Sequence, residues 1–243
     1  MRLAVPSWVI PGTYAENLRF LEPKKAITAV ELLFFLYDSE VRSLLDAEWE
    51  AISAFKSRFA FSAHLPDRIK SEHEELVARL SPLVTHFVVH PWPAEEAGDF
   101  SALLDSWIDR YDPEAGSTGA HRFLLENTQG GRFEAALPRL PRVGICLDTG
   151  HRLLGGEDPA EAAALWKNRI EEVHLHAVDK EAAALDGRLA DHRSLRGEET
   201  WLEALAPFLR SFNGTIDLEV FSWAEAETSL RALGTRGLGP ERK

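Results

Sequence analysis

The sequence predicts an α/β chain folded as a single closed (β/α)8 barrel, the TIM-barrel architecture, and three observations predict it. Short apolar runs alternate with longer amphipathic stretches along all 243 residues, with no break in composition. Eight strand–helix units can be counted, the number that closes a parallel barrel inside a ring of helices. An open doubly wound sheet would place a glycine-rich phosphate loop after an early strand, and "PSWVIPG" stands there instead.

The strands fall near 2–9, 27–36, 59–64, 84–90, 121–126, 143–148, 170–176 and 215–221. Helical patterns fall between them near 14–22, 46–57, 69–80, 99–111, 131–137, 158–167 and 198–210, with a last one near 224–233. "EHEELVARL" and "WLEALAPFLRSF" carry apolar residues at helical spacing. Asp46 and Asp158 are read as N-caps, the second with Pro159 at the first helical position. The barrel is expected to occupy 1–233, and the glycine-rich, charged segment 234–243 to fray.

Composition narrows the functional classes. Acidic residues number 39 against 27 basic ones, a net charge of −12. Duplex binding draws on lysine and arginine contacts to phosphate, so a nucleic-acid partner is disfavoured. A small-molecule substrate is expected instead. The one cysteine, Cys146, lies within an apolar strand and reads as an inert core residue. No apolar run reaches transmembrane length, and the start "MRLAVPSWVIPG" lacks a signal-peptide pattern, so a cytoplasmic protein off the membrane is expected.

The chemistry is written at the strand ends. "FAFSAH" stops at His64, "THFVVH" at His90, "RFLLE" at Glu126, "GICLD" at Asp148, "EEVHLH" at His176, and "TIDLE" reaches Glu219. In a parallel barrel these ends converge on one face, where active sites lie. Imidazoles and carboxylates together suit zinc, manganese or iron, and the set lacks thiolate. His151 follows Asp148 in an Asp-x-x-His pair, and Asp191 and His192 stand in the long segment after the seventh strand. One histidine at a strand end is more often a hydrogen-bonded structural residue, and one carboxylate there often caps a helix. Six at the same topological position point to a divalent metal centre.

Other candidates divide between packing and binding. His73, His86 and His121 read as structural, and His174 as an inward residue deeper than His176. Trp49, Trp107, Trp166 and Trp201 fall on helices and read as core. Trp8 and Trp92 follow the first and fourth strands, where each could stack on a flat ligand or pack against a loop. Glu31 lies in mid-strand, either a buried barrel residue or a sign of shifted register.

These endings resemble the xylose isomerase-like TIM-barrel superfamily, which includes endonuclease IV-type enzymes and many sugar isomerases and epimerases. The resemblance spans nearly the whole chain and implies two or three metal ions. On it, His64, His90, Glu126, Asp148, His151, His176, Asp191, His192 and Glu219 would be ligands. The endonucleases separate the late aspartate and histidine by one residue; here they are adjacent. "PSWVIPG", "VELLFF", "SAHLP", "LENT", "CLDTGH", "HLHAVDK", "DHRSL" and "LEVFSWAEAETSL" further resemble the cobamide-remodelling phosphodiesterases of this superfamily. Those enzymes hydrolyse the nucleotide loop of a cobamide and release cobinamide. They often close the second strand with an acidic residue, where this chain has Leu36 and Tyr37. The resemblance makes Glu126 and Glu219 the catalytic pair, gives Arg193 a phosphate contact, and gives Trp8 or Trp92 a stacking role.

The main rival is a metal-dependent sugar isomerase or epimerase, for which Glu126, Asp148, His176 and Glu219 would suffice, the glutamates moving the proton. An endonuclease acting on abasic DNA and a non-catalytic metal- or corrinoid-binding protein are further alternatives.

Overall fold

The computed structural model describes residues 1–115, 121–179 and 191–239. Its eight strands close in sequence order: β1 (Arg2–Pro6), β2 (Ala29–Leu33), β3 (Ala60–His64), β4 (Phe87–Val89), β5 (Phe123–Glu126), β6 (Gly144–Asp148), β7 (Ile170–His174) and β8 (Thr215–Asp217). Every neighbouring pair is parallel, and β8 returns to pair with β1. The helices are α1 (Tyr14–Leu21), α2 (Ser39–Ala54), α3 (Glu74–Leu80), α4 (Ala97–Tyr111), α5 (Arg132–Ala136), α6 (Thr149–Leu154), α7 (Pro159–Trp166), α8 (Thr200–Ser211) and α9 (Trp223–Thr235). The predicted closed barrel is the observed one.

Strand alternation sorts side chains into two layers. Outward positions such as Val30, Leu32, Phe61, Phe87, Phe123, Ile145, Val173 and Ile216 join the helices in one continuous apolar core. That packing layer supplies most of the stabilisation, at roughly 25 cal/mol per Å² of apolar surface removed from water. Inside the barrel Val88, Leu124 and Cys146, from three consecutive strands, form a separate small apolar cluster. Barrel interiors are usually filled with bulky branched residues. This one also buries Glu31, Ser62, Glu172, His174 and Asp217.

Local chemistry fixes the helix starts, and one expectation is corrected. Helix α2 begins at Ser39 rather than near 46, because the Asp38 carboxylate accepts from the amides of Glu40 and Val41, each at 3.0 Å. Asp46 instead pairs with Arg79 of α3. Asp158 does cap α7, accepting from Ala160 N at 2.8 Å, with Pro159 at its first position. Such a cap contributes about 1 kcal/mol. The tail is tighter than expected as far as it is described. Helix α9 runs to Thr235, Leu238 is buried, and the Arg236 guanidinium donates to Gly197 O. Residues 240–243 lie outside the described residues. No helix among the described residues is long and apolar enough to cross a membrane.

Candidate metal centre at the barrel mouth

His64, Glu126 and Asp148 are the last residues of β3, β5 and β6. His90 lies one residue beyond β4, and His176 and Glu219 two residues beyond β7 and β8. The strand ends thus deliver all six candidates to one face. They come within bonding reach of one another. Glu126 Oε2 lies 3.0 Å from His64 Nε2 and 3.2 Å from His90 Nε2, while its Oε1 lies 3.2 Å from His151 Nδ1. Asp148 Oδ2 lies 3.1 Å from His176 Nε2. Glu219 Oε2 lies 3.5 Å from His192 Nδ1 and 3.6 Å from His176 Nε2. Phe35, Asp67 and Phe221 complete the walls of a cavity of about 240 Å³ above them.

Asp148 serves two purposes at once. Its Oδ1 caps α6, accepting from His151 N at 2.6 Å, while its Oδ2 faces His176. The short helix that begins here, not among the helical patterns expected from the sequence, sets His151 beside Glu126. Asn127 clamps this corner. Its side chain donates to Asp148 O at 3.0 Å and accepts from Asp148 N at 2.9 Å. Thr149 Oγ1 accepts from His176 N at 3.1 Å, tying the end of β7 to α6.

The adjacency of Asp191 and His192 is resolved by the backbone. Among the described residues His192 alone of the non-glycines has a positive φ, 52°. Non-glycine residues in this region are uncommon and strained, and persist where the surroundings enforce them. The turn lets neighbouring side chains face the same mouth. Asp191 Oδ1 lies 3.4 Å from His176 Nδ1, and its Oδ2 lies 3.9 Å from His151 Nε2.

The hydrogen bonds behind the imidazoles decide which nitrogen faces inward. A carbonyl oxygen can only accept, so a ring nitrogen against one must carry the proton. Nδ1 lies 2.9 Å from Leu65 O in His64, 3.0 Å from Asn127 O in His151, 3.2 Å from Glu219 O in His192 and 3.3 Å from Ala177 O in His176. In His64 the neutral ring then points its Nε2 lone pair away from that carbonyl, whereas Nδ1 of His151 and of His192 also faces Glu126 and Glu219, at 3.2 and 3.5 Å, and Nδ1 of His176 also lies 3.2 Å from His192 N. Nε2 of His64 and of His176 meets a carboxylate oxygen. Two acceptors in such contact repel unless a proton or a cation lies between them. Metal-ligating histidines are held by this same arrangement, a backbone carbonyl on the far nitrogen. Five sets among the described residues bring ligand atoms within 4.8 Å of one another; three consist of the expected residues alone, His64, His90 and Glu126, then Glu126, Asp148 and His151, then His176, His192 and Glu219, and the other two bring in His174, with Glu126 and Cys146 and with Glu31 and Glu219. Glu219 Oε2 is buried without a hydrogen-bond partner. This donor set fits divalent ions, with Glu126 shared between two of the first three groups.

Without a metal, protons fill that role. Burial opposes charging of His64, but the Glu126 hydrogen bond and charge prevail and raise its pKa to about 9. His176 rises to about 9 against the same burial, chiefly through Asp148. His151 rises to about 11, burial being outweighed by Asp148 and Glu126. Burial would raise Glu126 and Glu219, yet the surrounding imidazoles hold both below the usual carboxylate range.

A pH dependence follows. The raised imidazoles stabilise the metal-free fold fully below the unfolded value of about 6.5, and that stability is lost as pH climbs through about 9. The depressed carboxylates contribute above about 4 and lose their contribution only as pH falls through their folded values. The Tm of chelator-treated protein should therefore fall between pH 6.5 and 9. Metal competes for the protonated nitrogens, so its uptake should strengthen across the same window and release protons. Thermal scans with and without zinc, with calorimetry in two buffers, would show it; a flat metal-free profile would contradict it.

Further groups lie beneath the mouth. His174 points inward and deeper than His176, as expected, and reaches the carboxylates: its Nδ1 lies 3.2 Å from Glu219, 3.6 Å from Glu126 and 4.0 Å from Asp148. Its Nε2 reaches Glu31 at 3.3 Å, so Glu31 is a buried barrel residue in correct register. Below them Glu172 bonds His86 and Ser62. Asp217 is held well above the usual carboxylate range by burial and by Glu31. The alternation Glu172, His174, His176 within "IEEVHLH" was the available signal. His86 and His121 hold structural partners, Glu172 and Glu171. His73 accepts from Lys70 N at 3.2 Å.

The expected substrate contacts scatter. Trp92 is packed on Phe100 under the Arg68 guanidinium and does not line the mouth. Arg193 exchanges backbone hydrogen bonds with Ala177 and lines a separate cavity of about 860 Å³, with Leu153, Asp179 and Trp201. Trp8 is 56% exposed and lines an apolar cleft of about 400 Å³ beside the mouth.

No protein-family model matches the chain, and no curated protein sequence matches it significantly. Solved structures do. Endonuclease IV from Thermus thermophilus is 20% identical at a TM-score of 0.61, over 97% of this chain and 98% of that one. A D-tagatose 3-epimerase-like protein is 18% identical at 0.59, over 97% and 96%. The probable 3-DHS dehydratase AsbF, involved in petrobactin synthesis, from Bacillus anthracis is 12% identical at 0.71, over 97% and 99%. At these identities the likeness is one of fold.

Proposed function

We propose that the chain is a metal-dependent phosphodiesterase that hydrolyses the nucleotide loop of a cobamide to release cobinamide. The observation that supports hydrolysis is the surplus of imidazoles. A one-ion proton-transfer site needs about four ligands, supplied by Glu126, Asp148, His176 and Glu219. This mouth adds His64, His90, His151 and His192, and four of its rings are braced by backbone carbonyls. Such a set suits two or more ions. The substrate assignment rests on the sequence resemblance, and the likeness to endonuclease IV agrees with hydrolysis of a phosphodiester.

Divalent ions supply neutralisation of the phosphate charge and acidification of a water. The protein's own part is to hold them and exclude other geometries. Glu126, ionised by its imidazole neighbours, would bridge two positions. Asp148 and Glu219 would complete the shells from β6 and beyond β8. Asn127 and Thr149 would keep the Asp148–His151 corner and His176 fixed.

A sugar isomerase or epimerase is the second reading, favoured by the fold likeness to a D-tagatose 3-epimerase-like protein. Glu126 and Glu219 reach the mouth from β5 and from beyond β8, as a proton-shuttling pair requires. The readings separate in one experiment. Purified protein is incubated anaerobically with a cobamide, with manganese or zinc, and products are identified by mass. Cobinamide and a nucleotide fragment are expected, abolished by chelator and by His90→Ala. Absence of turnover with every metal, together with epimerisation of a ketose, would replace the first reading by the second.

A further inference from the structure

Among the described residues five large apolar side chains are exposed: Met1, Trp8, Leu36, Leu165 and Phe221. Three of them follow β1, β2 and β8, which are consecutive in the closed barrel. They border one side of the mouth. The ligand set occupies the other side, reached mainly from β3 to β7. Behind Trp8 and Leu36 lies the cleft of about 400 Å³, floored by Tyr14, Leu33 and Val41. Phe35 lines both this cleft and the mouth. Its ring makes T-shaped contacts with His64, at 4.7 Å between centroids, and with Phe221, at 6.3 Å. The two spaces are therefore separated by one aromatic ring.

The polar groups of the cleft are already engaged. Tyr14 Oη donates to Leu33 O at 2.8 Å, Ser7 Oγ accepts from Leu33 N at 3.1 Å, and Thr13 Oγ1 bonds Glu48. They are poorly placed to read a carbohydrate's hydroxyls. The rest of the lining is apolar, Leu33, Leu36, Val41 and Leu44 with three aromatic rings, Trp8, Tyr14 and Phe35, a surface suited to a flat π-system. A cavity of this size is at the small end of ligand pockets, about 300–1,000 Å³. It takes a two-ring base and not a macrocycle.

We infer that this cleft is a subsite for a flat aromatic base carried by the substrate, joined to its scissile phosphodiester by a sugar that spans Phe35. The inference rests on the phosphodiesterase reading for the position of the phosphate. It specifies which part of the substrate lies over β8, β1 and β2: the base, not the corrin ring.

The test uses a probe without phosphate, so it reads the cleft and not catalysis. Binding of 5,6-dimethylbenzimidazole riboside to the purified full chain is measured by calorimetry, beside free ribose and cobinamide. Trp8→Ala and Leu36→Asp change residues 56% and 74% exposed, so folding is expected to survive, and thermal scans check it. The riboside should bind and ribose should not. Each substitution should weaken the riboside about tenfold or more, Trp8→Ala by loss of stacking. No riboside binding, or equal binding by all three proteins, would overturn the inference. So would cobinamide binding that Trp8→Ala abolishes while the riboside is unaffected. Riboside binding without cobamide turnover would sink the phosphodiesterase reading and leave the base subsite standing.

Discussion

Glu126→Gln should yield a folded protein that binds at least one metal ion fewer per chain and has lost turnover. Glu126 is 1% exposed and its two oxygens reach four imidazoles, those of His64, His90, His151 and His174. Glutamine keeps the volume but removes the charge and one acceptor. Loss of an outer-shell partner alone typically costs metal affinity or activity about 10–100-fold. Loss of a carboxylate common to two ligand groups should cost more than about a hundredfold. The same substitution removes the charge that lifts His64, so the metal-free Tm should become flatter between pH 6.5 and 9. Glu227→Gln is the control, because Glu227 sits in an exposed pair with Arg231 and such pairs contribute little. Metal content by mass spectrometry, turnover and thermal scans would decide it. Full metal retention with unchanged turnover would show that Glu126 is a structural carboxylate only.

The barrel was legible because its signals are local and repeated. Eight apolar runs, each followed by a helical pattern, leave few architectures to consider. Asp158–Pro159 announced α7 correctly, since cap and proline act within one turn. Asp46 misled because an aspartate before an apolar pattern looks like a cap, whereas its partner is Arg79, 33 residues away. The candidate ligands at the mouth were legible as strand endings, and topology alone brings those side chains together. What topology does not encode is what braces them. Asn127 was visible only as part of "LENT", and its clamp on Asp148 depends on the β5–β6 register. The left-handed turn at His192 left no sequence mark apart from an adjacency that looked like a defect. Trp92 packs on Phe100 and Arg193 lines a separate cavity, neither of which a loop position in the chain fixes, since it leaves the direction of a side chain open.

Gly150→Ala tests that bracing most sharply, because two effects oppose each other there. Gly150 lies in α6, where alanine ordinarily stabilises by about 1 kcal/mol relative to glycine. Its backbone is not in the left-handed region, so alanine meets no conformational penalty. A methyl group would, however, stand 2.0 Å from His176 Cε1 and 2.6 Å from Asp191 Oδ1. The Asp191 carboxylate is the end of a partly exposed, flexible side chain and can turn aside, but the His176 ring cannot, being fully buried and held by Asp148 and by Thr149. Overpacking of this kind costs about 1–3 kcal/mol, more than the helix propensity returns. Displacement of a ligand by about 1 Å is expected to cost turnover about a hundredfold. Gly150→Ala should therefore lower Tm, weaken metal binding and nearly abolish activity. The double variant separates the clash from the helix. With His176→Ala the nearest obstacle is gone, and Gly150→Ala should become neutral or stabilising by up to about 1 kcal/mol in denaturant unfolding. If alanine at 150 destabilises both backgrounds equally, the glycine is required for something other than the approach of His176.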